Sequence, residues 1–150
     1  MANSRRNGTV KSRAPDRQGV QVVHHAESEP ADSGAVADET AGSGDHRVLA
    51  ASADAADSLL AQARGLMFRR SIPNDYALVF RFDGATSRSL HMLFVPFAID
   101  ALWLVDGEVT KRKRLRPWVG LGRGEADTIV ELPAGAADGV DVGDRVEFRP

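Results

Sequence analysis

The sequence predicts an α+β fold, in which five or more β-strands and one helix form a globular domain behind a polar N-terminal tail. Three observations support this prediction. An apolar run from Leu90 to Leu104 is rich in residues that are favoured in strands. Asp-Gly pairs at residues 83 and 106 are suited to tight turns between strands. One segment near residue 60 has apolar residues at helical spacing.

Residues 1–46 are predicted to be a disordered tail, and residues 47–150 a single β-rich domain. The tail has few large apolar residues and no aromatic residue, so it does not bury enough surface to offset the entropy that folding costs. His24, His25 and His46 lie in this segment, but histidines in a flexible tail lack the fixed geometry that a metal ion needs. We therefore expect no metal site.

A helix is predicted to follow a short opening strand at Arg47–Ala51. Ser52–Asp54 offers N-cap side chains, and carboxylates there lie near the positive end of a helix dipole. The apolar residues that follow share one helical face, which we expect to pack on the sheet; they are Leu59, Leu60, Ala63, Leu66 and Met67.

The central apolar run divides at Pro96, because proline cannot donate a hydrogen bond to a strand ladder. Its second piece, Ile99–Val105, ends at Asp106-Gly107, a pair suited to a type I′ turn. A hairpin with a strand starting at Glu108 is the result. Further strands are predicted at residues 76–82, 126–132 and 145–148.

Four ionisable residues form the candidate ligand-binding site: Arg69, His91, Asp100 and Glu131. His91 and Asp100 interrupt the most apolar run and Glu131 interrupts a strand, so burying any of them without a partner is costly. Arg69 is a candidate partner for the carboxylates. If the four groups meet, they form a pocket for a small molecule. The alternative, which we favour, is that each is satisfied separately at a strand end.

The segment Lys111–Trp118 carries five basic residues and a tryptophan. This pattern has two interpretations: a patch that binds nucleic acid, or a charged edge strand that discourages pairing with another sheet. We favour the edge strand and expect no specific nucleic-acid partner, because basic and acidic residues balance in residues 47–150.

No nucleophile, base and orienting group occur at characteristic spacing, and the chain has no cysteine. We therefore expect a non-enzymatic small-ligand-binding or accessory domain. The alternative is a hydrolase in which Asp100 and Glu131 converge. Gly120–Gly124 contains G-x-G-x-G, but no helix pattern follows it, so we interpret it as a flexible loop and expect no cofactor.

No apolar run approaches the roughly 18 residues of a membrane span. No apolar stretch follows Arg5 and Arg6 to form a signal peptide. We therefore expect a cytoplasmic protein without a membrane partner.

Four motifs in residues 47–150 resemble the family known as domain of unknown function 192. They are Gly65-Leu66-Met67 with Arg69, His91-Met92 with Pro96 and Ile99-Asp100, residues 130–135 (V-E-L-P-A-G), and residues 139–144 (G-V-D-V-G-D). The resemblance implies a β-rich, barrel-like domain with one packed helix. The chain is similar to the archaeal form, because it lacks a signal peptide and has H-M-L-F-V-P-F where exported relatives have a W-M-x-N-T type of segment.

Overall fold

The computed structural model describes residues 20–27, 46–56 and 65–150, which form a closed barrel of seven strands. In chain order these are β1 (Val20–His25), β2 (His46–Ala55), β3 (Tyr76–His91), β4 (Ile99–Val105), β5 (Glu108–Leu115), β6 (Leu121–Pro133) and β7 (Arg145–Arg149). Around the barrel the order is β1-β2-β3-β6-β4-β5-β7, and β7 pairs with β1. The pair β2 and β3 is parallel, and the other pairs are antiparallel.

The prediction of an α+β fold with a packed helix is wrong, since the described residues form an all-β structure without a helix. The predicted helix start, Ser52–Asp54, lies in β2, where it pairs with Tyr76–Leu78 of β3. This parallel partner, distant in sequence, outweighs the weak local helix preference of an alanine-rich stretch. Leu66 lies in a turn beside Gly65, whose φ is 43°. The predicted helix residues Leu59, Leu60 and Ala63 lie outside the described residues.

Strand β1 lies within the segment that is predicted to be a disordered tail. It pairs with β2 on one side and with β7 on the other. Val22 and Val23 of this strand are buried. The stretch V-Q-V-V is too short to stand out from its polar surroundings, so composition misses it. For residues 1–19 and 28–45 disorder stays a prediction, because they lie outside the described residues.

The hairpin between β4 and β5 is confirmed. Asp106 and Gly107 have φ angles of 50° and 81°, and a type I′ turn requires positive φ at both central residues. The chain also bends at residues 92–98, between β3 and β4, as Pro96 predicts.

Strand β3 does not end at Asp83-Gly84 but continues to His91. Its pairing with β6 shifts between Arg81 and Thr86, which marks a bulge. Beyond the bulge, residues 86–91 pair with residues 121–126, and this two-stranded extension is called the arm below. The arm packs over β4 and β5, where the Trp103 indole N–H donates to the Arg88 carbonyl at 3.1 Å and Lys111 donates to the Arg123 carbonyl.

The G-x-G-x-G segment is not a loop, because its residues 121–124 belong to β6 in the arm. Trp103 on β4 explains the glycines: a Cβ atom at Gly124 would lie 2.9 Å from the indole ring, and one at Gly122 would also clash with it. Glycine thus permits the close approach of the arm to the barrel wall. The sequence does not indicate this role of the glycines, because it depends on the packing of the arm against Trp103 of β4.

Two apolar clusters stabilise the structure, one on each side of the barrel wall. All seven strands contribute to the interior cluster, with buried residues such as Val22, Leu102, Leu104, Val130 and Val146. The outer cluster includes Trp103, Ile99, Leu115 and Ile129, and it is covered by the arm and by residues of the connections before β3 and β4. This outer layer contains the candidate site.

Candidate functional site

A cavity of about 490 Å³ lies between the outer face of the barrel and the arm. Its size falls within the usual range of small-molecule sites, about 300 to 1,000 Å³. Eight of the fourteen residues that line it are apolar, among them Leu66, Phe80, Val95, Ile99 and Ile129. The polar residues in the lining are Ser87, Arg88, Ser89, His91 and Glu131.

Glu131 is the buried carboxyl group of this cavity. It lies on β6 opposite Ala101 of β4, and its side chain is 4% exposed. Its Oε2 atom has no hydrogen-bond partner among the described residues. Burial raises the pKa of Glu131 to about 8, although the positive charge of Arg69 acts in the opposite direction. At pH 7 the group is therefore mostly protonated and can donate a hydrogen bond.

Arg88 brings a positive charge to the same cavity. Its guanidinium group lies over the ring of Phe82 at 4.0 Å from the centroid. The Nε atom is buried and has no hydrogen-bond partner in the part of the chain that the structure describes. The sequence does not indicate a role for Arg88, because this residue lies in a polar stretch beyond a predicted turn. The continuation of β3 through that turn places it here.

Of the other residues that the sequence selects, His91 shares the cavity with Glu131, whereas Arg69 affects Glu131 only through its charge. His91 lines the cavity, and its Nδ1 accepts a hydrogen bond from the Leu93 N–H at 3.3 Å. Arg69 acts on Glu131 through its charge, but its guanidinium donates to the Tyr76 hydroxyl at 3.1 Å. Two of the four predicted site residues, His91 and Glu131, thus line one cavity, and Arg69 does not line it.

The fourth residue, Asp100, is satisfied elsewhere. Its carboxylate accepts hydrogen bonds from Arg114 at 2.7 Å and from the backbone N–H groups of Gly135 and Ala137 at 2.8 and 3.1 Å. Burial alone would raise its pKa, but these hydrogen bonds outweigh burial and hold the pKa of Asp100 below its ordinary value. Asp100 therefore anchors the connection between β6 and β7 to the barrel.

Asp100 and Glu131 face opposite sides of the barrel wall. In the register of β4 and β6, Asp100 lies opposite Leu132, whereas Glu131 lies opposite Ala101. Paired residues point to the same face and successive residues to opposite faces. The hydrolase hypothesis requires both carboxylates in one open cleft, and the two carboxylates do not share one.

Four of the five basic residues of Lys111–Trp118 make contacts within the protein. Lys111 and Lys113 donate to the carbonyl oxygens of Arg123 and Leu121 in the arm. On the other face of β5, Arg112 donates to the Ala137 carbonyl and Arg114 binds Asp100. These cations hold the arm and the β6–β7 connection against β5. The expectation that the protein has no specific nucleic-acid partner stays a prediction.

His24 has a structural role that the sequence does not reveal. It is buried, and its Nε2 lies 2.6 Å from the carboxylate of Asp144, which also accepts hydrogen bonds from the N–H groups of Glu27 and Asp141. Among the described residues, no group of three or more His, Asp or Glu side chains is arranged to hold a metal ion. The same residues include no helix that is long and apolar enough to span a membrane.

The family profile of domain of unknown function 192, described as "Uncharacterized ACR", matches residues 39–148. The chain belongs to this family. The match includes β2 to β6 and most of β7, so the cavity lies within the matched part, whereas β1 lies before it. No curated protein sequence is significantly similar to this chain.

Two solved structures share the fold of this DUF192 domain. A candidate transcription regulator from Sinorhizobium meliloti has 21% identity and a TM-score of 0.65, and the alignment covers 86% of this chain and 93% of that protein. A protein of unknown function from Novosphingobium aromaticivorans has 20% identity and a TM-score of 0.63, with 85% and 84% covered. At these identities the likeness shows the DUF192 fold alone.

Proposed function

We propose that this domain is a non-enzymatic binding domain for a small organic acid with an apolar body. The observation that carries the proposal is the buried Oε2 of Glu131, which belongs to a cavity-lining residue and has no partner among the described residues. Buried polar groups in proteins nearly always have a hydrogen-bond partner, so an orphaned one indicates that a partner is missing. A ligand in the cavity supplies that partner.

The charges of the cavity favour an acid over an amine. Glu131, with its pKa of about 8, is mostly uncharged at pH 7 and offers a proton to an acceptor on the ligand. Arg88 contributes a permanent positive charge and an unused N–H donor. The apolar wall then receives the hydrocarbon part of the ligand.

Calorimetric titration with matched probes tests this proposal. Octanoate and phenylacetate carry a carboxylate, and octylamine and phenethylamine carry an amine on a similar body. We expect the acids to bind more tightly at pH 7. Their affinity should fall as the pH rises through about 8, because ionised Glu131 repels a carboxylate. Preference for the amines, with affinity that rises over the same range, would contradict the proposal.

Variants separate the contributions of the two polar residues. Arg88→Gln should weaken octanoate binding, whereas Arg70→Gln, which changes an exposed arginine that does not line the cavity, should not. Glu131→Leu removes the donor and should also weaken binding. Glu131→Gln keeps an N–H donor of the same length, so it should bind octanoate without the change in affinity near pH 8.

Two further properties follow from the sequence and are proposals of the same kind. We propose that the domain acts in the cytoplasm, which cell fractionation tests. We also propose that it belongs with the archaeal form of the family. A comparison of residues 91–97 with archaeal and exported relatives tests this second point.

A further inference from the structure

Six large apolar side chains are exposed on three neighbouring segments, at residues 65–74, 87–98 and 115–124. Their exposed fractions range from 43% to 69%. Together they are called the apolar patch: Phe68, Leu93, Phe94, Trp118, Val119 and Leu121. Single exposed apolar residues are ordinary on protein surfaces, but a group of this kind marks an interaction site.

Backbone hydrogen bonds hold the three segments together. The Phe68 N–H donates to the Phe94 carbonyl at 2.9 Å, and the two rings stack with their centroids 4.9 Å apart. The Trp118 N–H donates to the Val95 carbonyl at 3.0 Å, and the Met92 N–H donates to the Gly120 carbonyl at 2.9 Å. The apolar patch is therefore a fixed surface rather than a set of independent loop tips.

The backbone of the apolar patch adopts a conformation that bulky residues rarely take. Phe68, Phe94 and Trp118 have φ angles of 64°, 59° and 66°. These are three of the four positive-φ residues other than glycine among the described residues. Glycine or asparagine adopts this conformation far more readily. An aromatic side chain there is unfavourable for the backbone and is not compensated by burial, which suggests that its exposure serves binding.

Arginines outnumber carboxylates beside the apolar patch. The three segments contain five arginines, and the exposed carboxylates Asp75 and Glu125 directly follow the first and third segments. Arg70 and Arg116 are exposed and form no ion pair with a carboxylate of the described residues. A partner that covers this surface therefore accepts apolar side chains, and negative charge on that partner complements Arg70 and Arg116.

We propose that the apolar patch docks onto the surface of an anionic lipid bilayer. Aromatic and aliphatic side chains then enter the interfacial region, and Arg70 and Arg116 contact lipid phosphates. A second copy of the chain is disfavoured because it brings arginines against arginines. Single-stranded nucleic acid stacks on free aromatic faces, whereas Phe68 and Phe94 already stack on each other and half of the patch is aliphatic.

This proposal replaces the expectation that the protein has no membrane partner. That expectation considered membrane-spanning segments, whereas the apolar patch is formed by three segments that are separate in the sequence. The proposal is also independent of ligand binding in the cavity, because none of the six patch residues lines it.

Vesicle co-sedimentation tests the proposal with the full chain. We expect binding to phosphatidylcholine vesicles that contain about one third phosphatidylglycerol, and much weaker binding to pure phosphatidylcholine. Trp118 emission should shift to the blue on binding, because Trp118 is 56% exposed while the other tryptophan, Trp103, is fully buried. Absence of binding to the anionic vesicles at low salt, or equal binding to both vesicle types, would overturn the proposal.

Asparagine variants separate binding from folding. Phe94→Asn with Trp118→Asn should lower affinity for anionic vesicles at least about tenfold, because it removes two of the inserted rings. The melting temperature should not fall, since asparagine tolerates positive φ. Val142→Ser, at an exposed valine outside the patch, should leave binding unchanged. Unchanged binding of the double variant would overturn the proposal. So would tighter binding to oligo(dT) than to vesicles, or a dimer that the double variant abolishes.

Discussion

Replacing Glu131 with glutamine should stabilise the protein at neutral pH. The folded state raises the pKa of this carboxyl from 4.5 to about 8, so between these values the folded protein holds a proton that the unfolded chain has released. The contribution of Glu131 to the free energy of unfolding is therefore most favourable below pH 4.5 and falls as the pH rises towards 8. At pH 7 the accumulated loss is about 3 kcal/mol.

Glutamine has the same shape but stays neutral, so its contribution to the free energy of unfolding does not fall over this pH range. Its amide leaves a buried donor in the cavity, as the protonated carboxyl does, so the two side chains are comparable at low pH. We therefore expect Glu131→Gln to match the natural protein near pH 4.5 and to exceed it by about 3 kcal/mol at pH 7. For a chain of this size that corresponds to a melting temperature about 6 to 12 °C higher.

The assay is thermal and urea unfolding of both proteins at several pH values between 4.5 and 8. The difference between them isolates Glu131, because the other titrating groups are common to both. Glu125→Gln, at an exposed position of the same strand, is the matched control and should show no such trend. If Glu131→Gln were less stable by a similar amount at every pH, Glu131 would be an ionised, paired carboxylate, and the reasoning above would be refuted.

Three further predictions concern the packing and strand pairing of the barrel. Asp100→Asn should lower the free energy of unfolding by about 2 kcal/mol, because the carboxylate accepts hydrogen bonds from Arg114 and from two backbone N–H groups. The difference should fade as the pH falls through the lowered pKa of Asp100, and the exposed Asp141→Asn is its control in urea unfolding. Gly124→Ala should lower the free energy of unfolding by about 1 to 3 kcal/mol, because the added Cβ clashes with Trp103. Gly84→Ala is the control, since a Cβ there meets nothing within 4 Å. Equal melting temperatures of the two variants would contradict the packing of the arm. A chain that begins at residue 28 should lose cooperative unfolding because it lacks β1, while one that begins at residue 20 tests the predicted tail and should keep it.

The local parts of the fold are predictable from the sequence. Asp106-Gly107 encodes its turn through the φ angles that these two residues tolerate, and Pro96 marks the bend before β4. The pairing of Ser52–Asp54 with Tyr76–Leu78 is not predictable in this way, because a parallel partner leaves no turn signal between the strands. Local signals, namely the N-cap side chains and the apolar spacing that follows them, predict a helix there instead.

The candidate site is predictable in part. Both Asp100 and Glu131 can be selected from the sequence, because each is a carboxylate inside an apolar strand. The register of β4 and β6 then places them on opposite faces of the barrel wall. Arg88 cannot be selected in this way, because the predicted strand ends before Asp83-Gly84, whereas β3 continues through a bulge after Arg81 to His91. The apolar patch is invisible in the sequence, since it depends on three segments that meet only in the folded chain.

The most direct test of the proposed binding site is a ¹³C NMR titration of the Glu131 side-chain carboxyl, in the free protein and with octanoate added. The free protein should show a carboxyl that titrates near pH 8. Octanoate should move the Glu131 signal and raise its pKa further, because the acid binds the protonated form, while the signal of Glu125 stays unchanged. A Glu131 carboxyl that titrates near its ordinary value of 4.5, or that does not respond to bound octanoate, would contradict the proposed site.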